Sequence, residues 1–150
     1  MASSTEGHQP IEESEIFRLF EECADKVSRW SLSWNGYVKA TIGTQFIRAI
    51  DSVNANLVEG DGRYSDAEAI QFFRIARASA RESKLWATRA AKRNLVSSEA
   101  ISDFLLDLTS ATKQLNLLIN YRRRTKNLGV KETPSLYVVS EGNAVQGNPN

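Results

Sequence analysis

The sequence predicts an all-α protein: an antiparallel, up-down-up-down four-helix bundle (residues 11–127) with a disordered N-terminal arm (1–10) and a flexible C-terminal tail (128–150). Three observations predict it. Apolar residues recur at three- and four-residue spacing in four stretches. Short breaks marked by Gly, Asn and Ser separate those stretches, as antiparallel neighbours require. A chain of 150 residues suits one domain with a real core.

The first helix is expected from about Ile11 to Ser31. Ile16, Phe20, Cys23, Val27 and Trp30 form a heptad-like seam, and Glu12, Glu13 and Glu15 suit its N-terminal turn. Trp34-Asn35-Gly36-Tyr37 breaks the pattern and reads as a loop. Its two aromatics more often cap a core than stack on nucleotide bases, though both readings stand. The second helix runs from near Thr41 to Glu59, with Phe46, Ala49, Ile50, Val53 and Leu57 on its apolar face. Gly60 and Gly62 are expected to stop it in the left-handed conformation that glycine takes without steric cost.

Ser65-Asp66-Ala67-Glu68 has the S-x-x-E form of a capping box and starts the third helix, about Asp66 to Arg93. Ala69, Phe73, Ala76, Ala80, Ser83 and Ala87 share one face. Phe72, Ile75, Ser79, Glu82 and Trp86 share a neighbouring one. Two such faces imply more than one contact surface. Asn94 and Ser97-Ser98 make the next turn. The fourth helix runs from about Glu99 to Lys126 through Ile101, Phe104, Leu108, Ala111, Leu115 and Leu118. Gly129 ends it, and within the tail only Leu136 to Val139 suggests a short strand or a docking peptide.

No stretch of 18 uninterrupted apolar residues exists, so no membrane span is expected. The polar N-terminus lacks the apolar core of a secretory signal. With a single cysteine, Cys23, the chain is expected in the cytoplasm. Charge is lopsided. Residues 1–62 carry ten acids and five bases, while residues 63–131 carry fourteen bases and six acids. That polarity suggests an anionic partner for the second half. The alternative is that the acidic first helix packs beside the basic third one, within or between subunits.

Arg74, Arg77, Arg81, Lys84 and Lys92 fall in one arc of the third helix, about 80° wide at 100° per residue. Surface helices normally mix signs to gain i,i+4 pairs, so a line of bases is informative. Arg122, Arg123 and Arg124, followed by Lys126, exceed what a helix C-terminus needs. Beside the stripe of the second helix, Arg48, Ser52, Asn56 and Glu59 form a polar seam, more often a register-fixing network than a catalytic one.

Catalytic and metal chemistry find little material. His8 is the only histidine. Glu-x-x-His pairs, zinc ligand sets, Ser-His-Asp or Cys-His constellations and an Arg-x4-6-His ribonuclease motif cannot be built. Gly60-Asp61-Gly62 lacks the frame of a phosphate loop. Glu59 and Glu82 as an acid–base pair are far less expected than as structural partners between the second and third helices. The chain is therefore expected to be no enzyme, without cofactor or metal.

The central stretch resembles the four-helix-bundle family encoded in intervening sequences of bacterial 23S ribosomal RNA genes, to which accessory variability determinants of diversity-generating retroelements are related. The family pattern of an Arg, a Ser-Ile step, N-I-A-E-G and a further Arg corresponds here to Arg48, Ser52-Val53, Asn56-Leu57-Val58-Glu59-Gly60 and Arg63, with Leu57-Val58 in place of Ile-Ala. Its F-x-x-I-A-x-G-S-x-x-E helix corresponds to Phe72 to Glu82, with Ser79 and Glu82 at the pattern's Ser and Glu and Ala78 in place of Gly. The resemblance implies a ring-like homo-oligomer, a pentamer being the expected state. For the accessory determinants it implies a basic surface that binds RNA or RNA–DNA hybrid, and a partner reverse transcriptase.

Two functions from different classes follow as expectations. One is a non-enzymatic, oligomeric nucleic-acid-binding accessory protein, with Arg74, Arg77, Arg81, Lys84, Lys92 and Arg122 to Arg124 on phosphates. The other is an oligomeric scaffold that docks a protein on its acidic first helix or its tail. Steep weakening with salt belongs to the first alone.

Overall fold

The computed structural model describes residues 7–128 and is helical almost throughout. A 3-10 turn, Ile11–Glu13, leads into α1 (Glu15–Ser31). One α-turn (Gly36–Val38) and a π-turn (Lys39–Gly43) lead into α2 (Thr44–Asp61). The two longest helices follow, α3 (Asp66–Lys92) and α4 (Ser98–Leu128). Neighbours in the chain pack on one another, and α1 closes the ring by packing on α4. The result is the expected up-down-up-down bundle, with α1 diagonal to α3. Within the chain, then, the acidic first helix does not lie beside the basic third one, as one reading of the charge pattern had it.

Helix starts follow local chemistry. Ser14 breaks the expected first helix: its Oγ accepts from Phe17 N–H at 3.2 Å, so α1 begins after it. Asn35 starts helical structure earlier than near Thr41, because its Oδ1 accepts from Val38 N–H at 2.9 Å. Ser65 Oγ accepts from Glu68 N–H at 3.2 Å, whereas Glu68 makes no return bond to the Ser65 N–H, so only half of the capping box forms.

The glycines act differently from expectation. α2 runs on through Gly60 to Asp61, and Gly62 caps it in a right-handed conformation (φ −78°, ψ −4°). Gly60 is required for another reason. A Cβ there would meet Phe73 Cε1 at 2.7 Å and Phe72 Cβ at 3.0 Å. The missing side chain allows α3 to close on α2. The left-handed residue of the chain's described part is Asn94 (φ 56°), after α3.

The core is a column along the bundle axis. Phe20, Phe46, Phe73 and Phe104 are fully buried, as are Val27, Leu57 and Leu115. Phe46 and Phe104 meet edge to face at 5.7 Å, and Trp30 leans on both. Trp34 is buried and its indole N–H donates to Leu95 O at 3.2 Å, tying the α1–α2 connection to the α3–α4 turn. It caps the core and is not available to stack on bases, whereas Tyr37 is exposed. Among the described residues no helix is long and apolar enough to cross a membrane.

Candidate nucleic-acid interface

The basic arc of α3 faces a groove between α3 and α4. Arg74, Arg77, Arg81 and Lys84 line it from α3, and Lys113, Thr109, Thr112 and Asn116 line it from α4. Its volume is about 720 Å³, and no acid is among its lining residues. The four α3 cations run from Arg74 to Lys84, about 15 Å of helix axis. Arg77 is half-buried and fixed in place, its Nη1 donating to Asn116 Oδ1 at 3.0 Å. Arg74, Arg81 and Lys84 are exposed. Thr109 and Thr112 donate to Leu105 O and Leu108 O, both at 2.7 Å, which leaves their oxygens as acceptors at the groove wall.

This arrangement concentrates positive potential. Each guanidinium offers several donors in a planar fork suited to phosphate. Cations on two facing helices can hold an anion from both sides. Lys113, Thr109, Thr112 and Asn116 escape a sequence reading made one helix at a time. The register between α3 and α4 alone brings them to the arginines, and a base on the α4 arc that opposes the α3 line is the signal that would have found Lys113.

The other expected phosphate contacts divide. Lys92 is exposed in the last turn of α3, roughly 12 Å along the axis from Lys84. Arg123 and Arg124 are exposed near the opposite end, where α4 passes the start of α3. All three flank the groove rather than line it. Arg122 goes elsewhere. Its Nη1 donates to Asp66 Oδ1 at 2.7 Å, its guanidinium lies 6.0 Å from the Phe73 ring centroid, and its side chain is only 14% exposed. It is a cross-link between α4 and the α2–α3 turn. The same turn anchors the N-terminal arm: Asp61 receives Ile11 N–H at 3.1 Å and contacts His8 Nε2 at 2.7 Å.

The residues of the sequence motif form a separate seam between α2 and α3. Ser79 Oγ donates to Ser52 Oγ at 3.0 Å, Asn56 Nδ2 donates to Ser52 O at 2.8 Å, and Ser83 Oγ donates to Ser79 O at 2.9 Å. This is a network that fixes register. Since Ser52 sits against Ser79 on antiparallel helices, Glu59 lies opposite Phe72 and Glu82 opposite Ala49, roughly 15 Å apart along the axis. The two carboxylates therefore do not meet. Nor do they bridge the helices as structural partners: Glu59 pairs with Arg63, and Glu82 accepts from Trp86 Nε1 at 3.2 Å. Arg48 is exposed at the edge of the seam. Arg63 covers the ring of Phe72 at 4.6 Å and Arg89 that of Trp86 at 5.0 Å, so the second apolar face of α3 is bordered by cations.

Elsewhere, burial pushes the Cys23 thiol up to about 12, which leaves it an inert core residue. No cluster of His, Cys, Asp and Glu among the described residues could hold a metal ion.

Fold and site together define a small all-α bundle protein with a polar inter-helix seam and a basic groove. The chain belongs to the family of 23S rRNA-intervening sequence proteins, whose model matches residues 12–117. Its fold is similar to the crystal structure of a protein of unknown function from the S23 ribosomal protein family of Bacteroides thetaiotaomicron VPI-5482. That likeness has a TM-score of 0.62 at 20% identity, over 69% of this chain and 97% of the other. No curated protein matches.

Proposed function

We propose that this protein is a non-enzymatic, homo-oligomeric nucleic-acid-binding protein that holds phosphate backbones in the α3–α4 groove. The observation that carries the reading is the lining itself: Arg74, Arg77, Arg81, Lys84 and Lys113 on two helices, with no acid among them. Backbone contacts of this kind give affinity without sequence choice. RNA or RNA–DNA hybrid is the favoured ligand, and service to a reverse transcriptase the favoured setting, both from the family resemblance. Self-association, expected as a pentameric ring, would bury Phe72, Ile75 and Trp86 and repeat the groove in every subunit. That repetition raises affinity through multivalency.

The test is a titration with labelled RNA at several salt concentrations, with light scattering in parallel. About four phosphates held per chain give a log–log salt slope of roughly −3 to −4. Changing Arg74, Arg77 and Arg81 to Glu should abolish binding without altering helicity or oligomer size. Equal binding by the parent and the triple variant would sink the proposal. A monomer at micromolar concentration would remove its oligomeric part.

A further inference from the structure

A second groove, of about 480 Å³, runs between α1 and α2 on the acidic side of the bundle. Phe17, Ile50 and Val58 give it apolar walls, and Glu21 and Asp51 stand at its rim. Asp25 lies near enough to act on Asp51. None of these acids has a basic partner among the described residues. Of the bases of α1, Arg18 is engaged with Glu15 and Glu22, Lys26 with Asp107 at 3.0 Å, and Arg29 is exposed in the last turn. Burial first, then Glu21 and Asp25, hold the Asp51 carboxyl above its ordinary range.

Asn54 adds an independent sign that the groove is incomplete. It lines the groove and is only 7% exposed. Its Nδ2 donates to Phe17 O at 3.1 Å and to Glu21 Oε2 at 2.8 Å, both groove residues. Its Oδ1 is buried with no partner. A buried acceptor left unpaired is unfavourable, so an incoming N–H that reaches Oδ1 while Nδ2 keeps its two bonds removes that cost. The groove thus presents acceptors and negative charge over an apolar floor. It does not have the carboxylate cluster that a metal ion needs.

We propose that the α1–α2 groove docks a basic, partly apolar segment of a protein partner, with one arginine or lysine head placed between Glu21 and Asp51 and donating to Asn54. The aliphatic stem of such a side chain covers Phe17 and Val58 while its charged end meets the rim. A free polyamine has no apolar neighbours to fill those walls. A second copy of this chain as the occupant is a separate outcome, read from the oligomeric state. This docking does not depend on the nucleic-acid reading, and the two faces can be filled at once.

The experiment titrates the ¹⁵N-labelled full chain with a synthetic helical peptide carrying Arg and Leu four residues apart. A twin peptide with Glu in place of Arg, and spermidine, serve as the other probes. The Asn54 side-chain NH₂ signals should shift with the Arg peptide and not with its twin. The Glu21→Gln/Asp51→Asn variant should bind the Arg peptide about tenfold more weakly or worse. The Arg74→Glu/Arg77→Glu/Arg81→Glu variant should bind it like the parent, which separates this face from the phosphate groove. The proposal is overturned if the Asn54 signals stay put at saturation or the neutralised variant binds unchanged. It is equally overturned if spermidine binds as tightly as the peptide. Dissociation of the oligomer by the neutralised variant would show that a second copy holds the groove instead. Because the Asn54 signals are read on the parent protein, the test survives a variant that fails to fold.

Discussion

Replacing Gly60 by Ala isolates the closest approach in the bundle. Gly60 is buried inside α2, and its φ is not in the left-handed region, so alanine fits the backbone. On helix propensity alone the change should stabilise by about 1 kcal/mol. The methyl group, however, would stand 2.7 Å from Phe73 Cε1 and 2.9 Å from Cδ1. The Phe73 ring is fully buried and cannot swing into solvent. Overpacking of this kind costs about 1–3 kcal/mol, and a ring held on all sides belongs in the upper half of that range. The net expectation is a loss of about 1–2 kcal/mol, or roughly 3–6 °C in melting temperature for a domain of this size. Thermal and urea denaturation followed by circular dichroism, at one fixed protein concentration, would measure it. Gly36→Ala is the matched control: nothing lies within 4 Å of a Cβ there, so it should be at least as stable as the parent. The double variant Gly60→Ala/Phe73→Leu should lose less than its two single variants together, because the smaller side chain gives the methyl room. A Gly60→Ala protein as stable as the parent would refute the reasoning, since propensity would then outweigh the contact.

Two further outcomes are expected. Ser65→Ala removes the acceptor for Glu68 N–H and should cost about 1 kcal/mol; an unchanged urea midpoint would mean that the cap contributes nothing. The raised carboxyl of Asp51 contributes stability that is complete below the unfolded-state value of 3.8 and is lost as pH rises through the folded-state value. Asp51→Asn should therefore raise the melting temperature at neutral pH and leave it nearly unchanged at pH values below 3.8. A variant that melts lower than the parent at neutral pH would contradict this sign.

By itself, the sequence determined the number of helices, their order and most of their buried faces. Those follow from periodicity, which is local: Ile16, Phe20, Cys23 and Val27 in α1, and Ile101, Phe104, Leu108, Ala111, Leu115 and Leu118 in α4, are all buried as their spacing requires. The basic arc of α3 was legible for the same reason, since residues three and four apart share a helix face whatever surrounds it. Tertiary structure decided what each face meets. Gly60 reads as a helix stop and serves instead as the point where Phe73 enters. Arg122 reads as one of three equivalent surface arginines, and only the packing of α4 against the α2–α3 turn places it on Asp66. Lys113 joins Arg77 and Arg81, and Asn54 meets Glu21, through the register of neighbouring helices. Such pairings join residues tens of positions apart, and they depend on how side chains interlock across the bundle. A period of 3.6 residues carries no record of that.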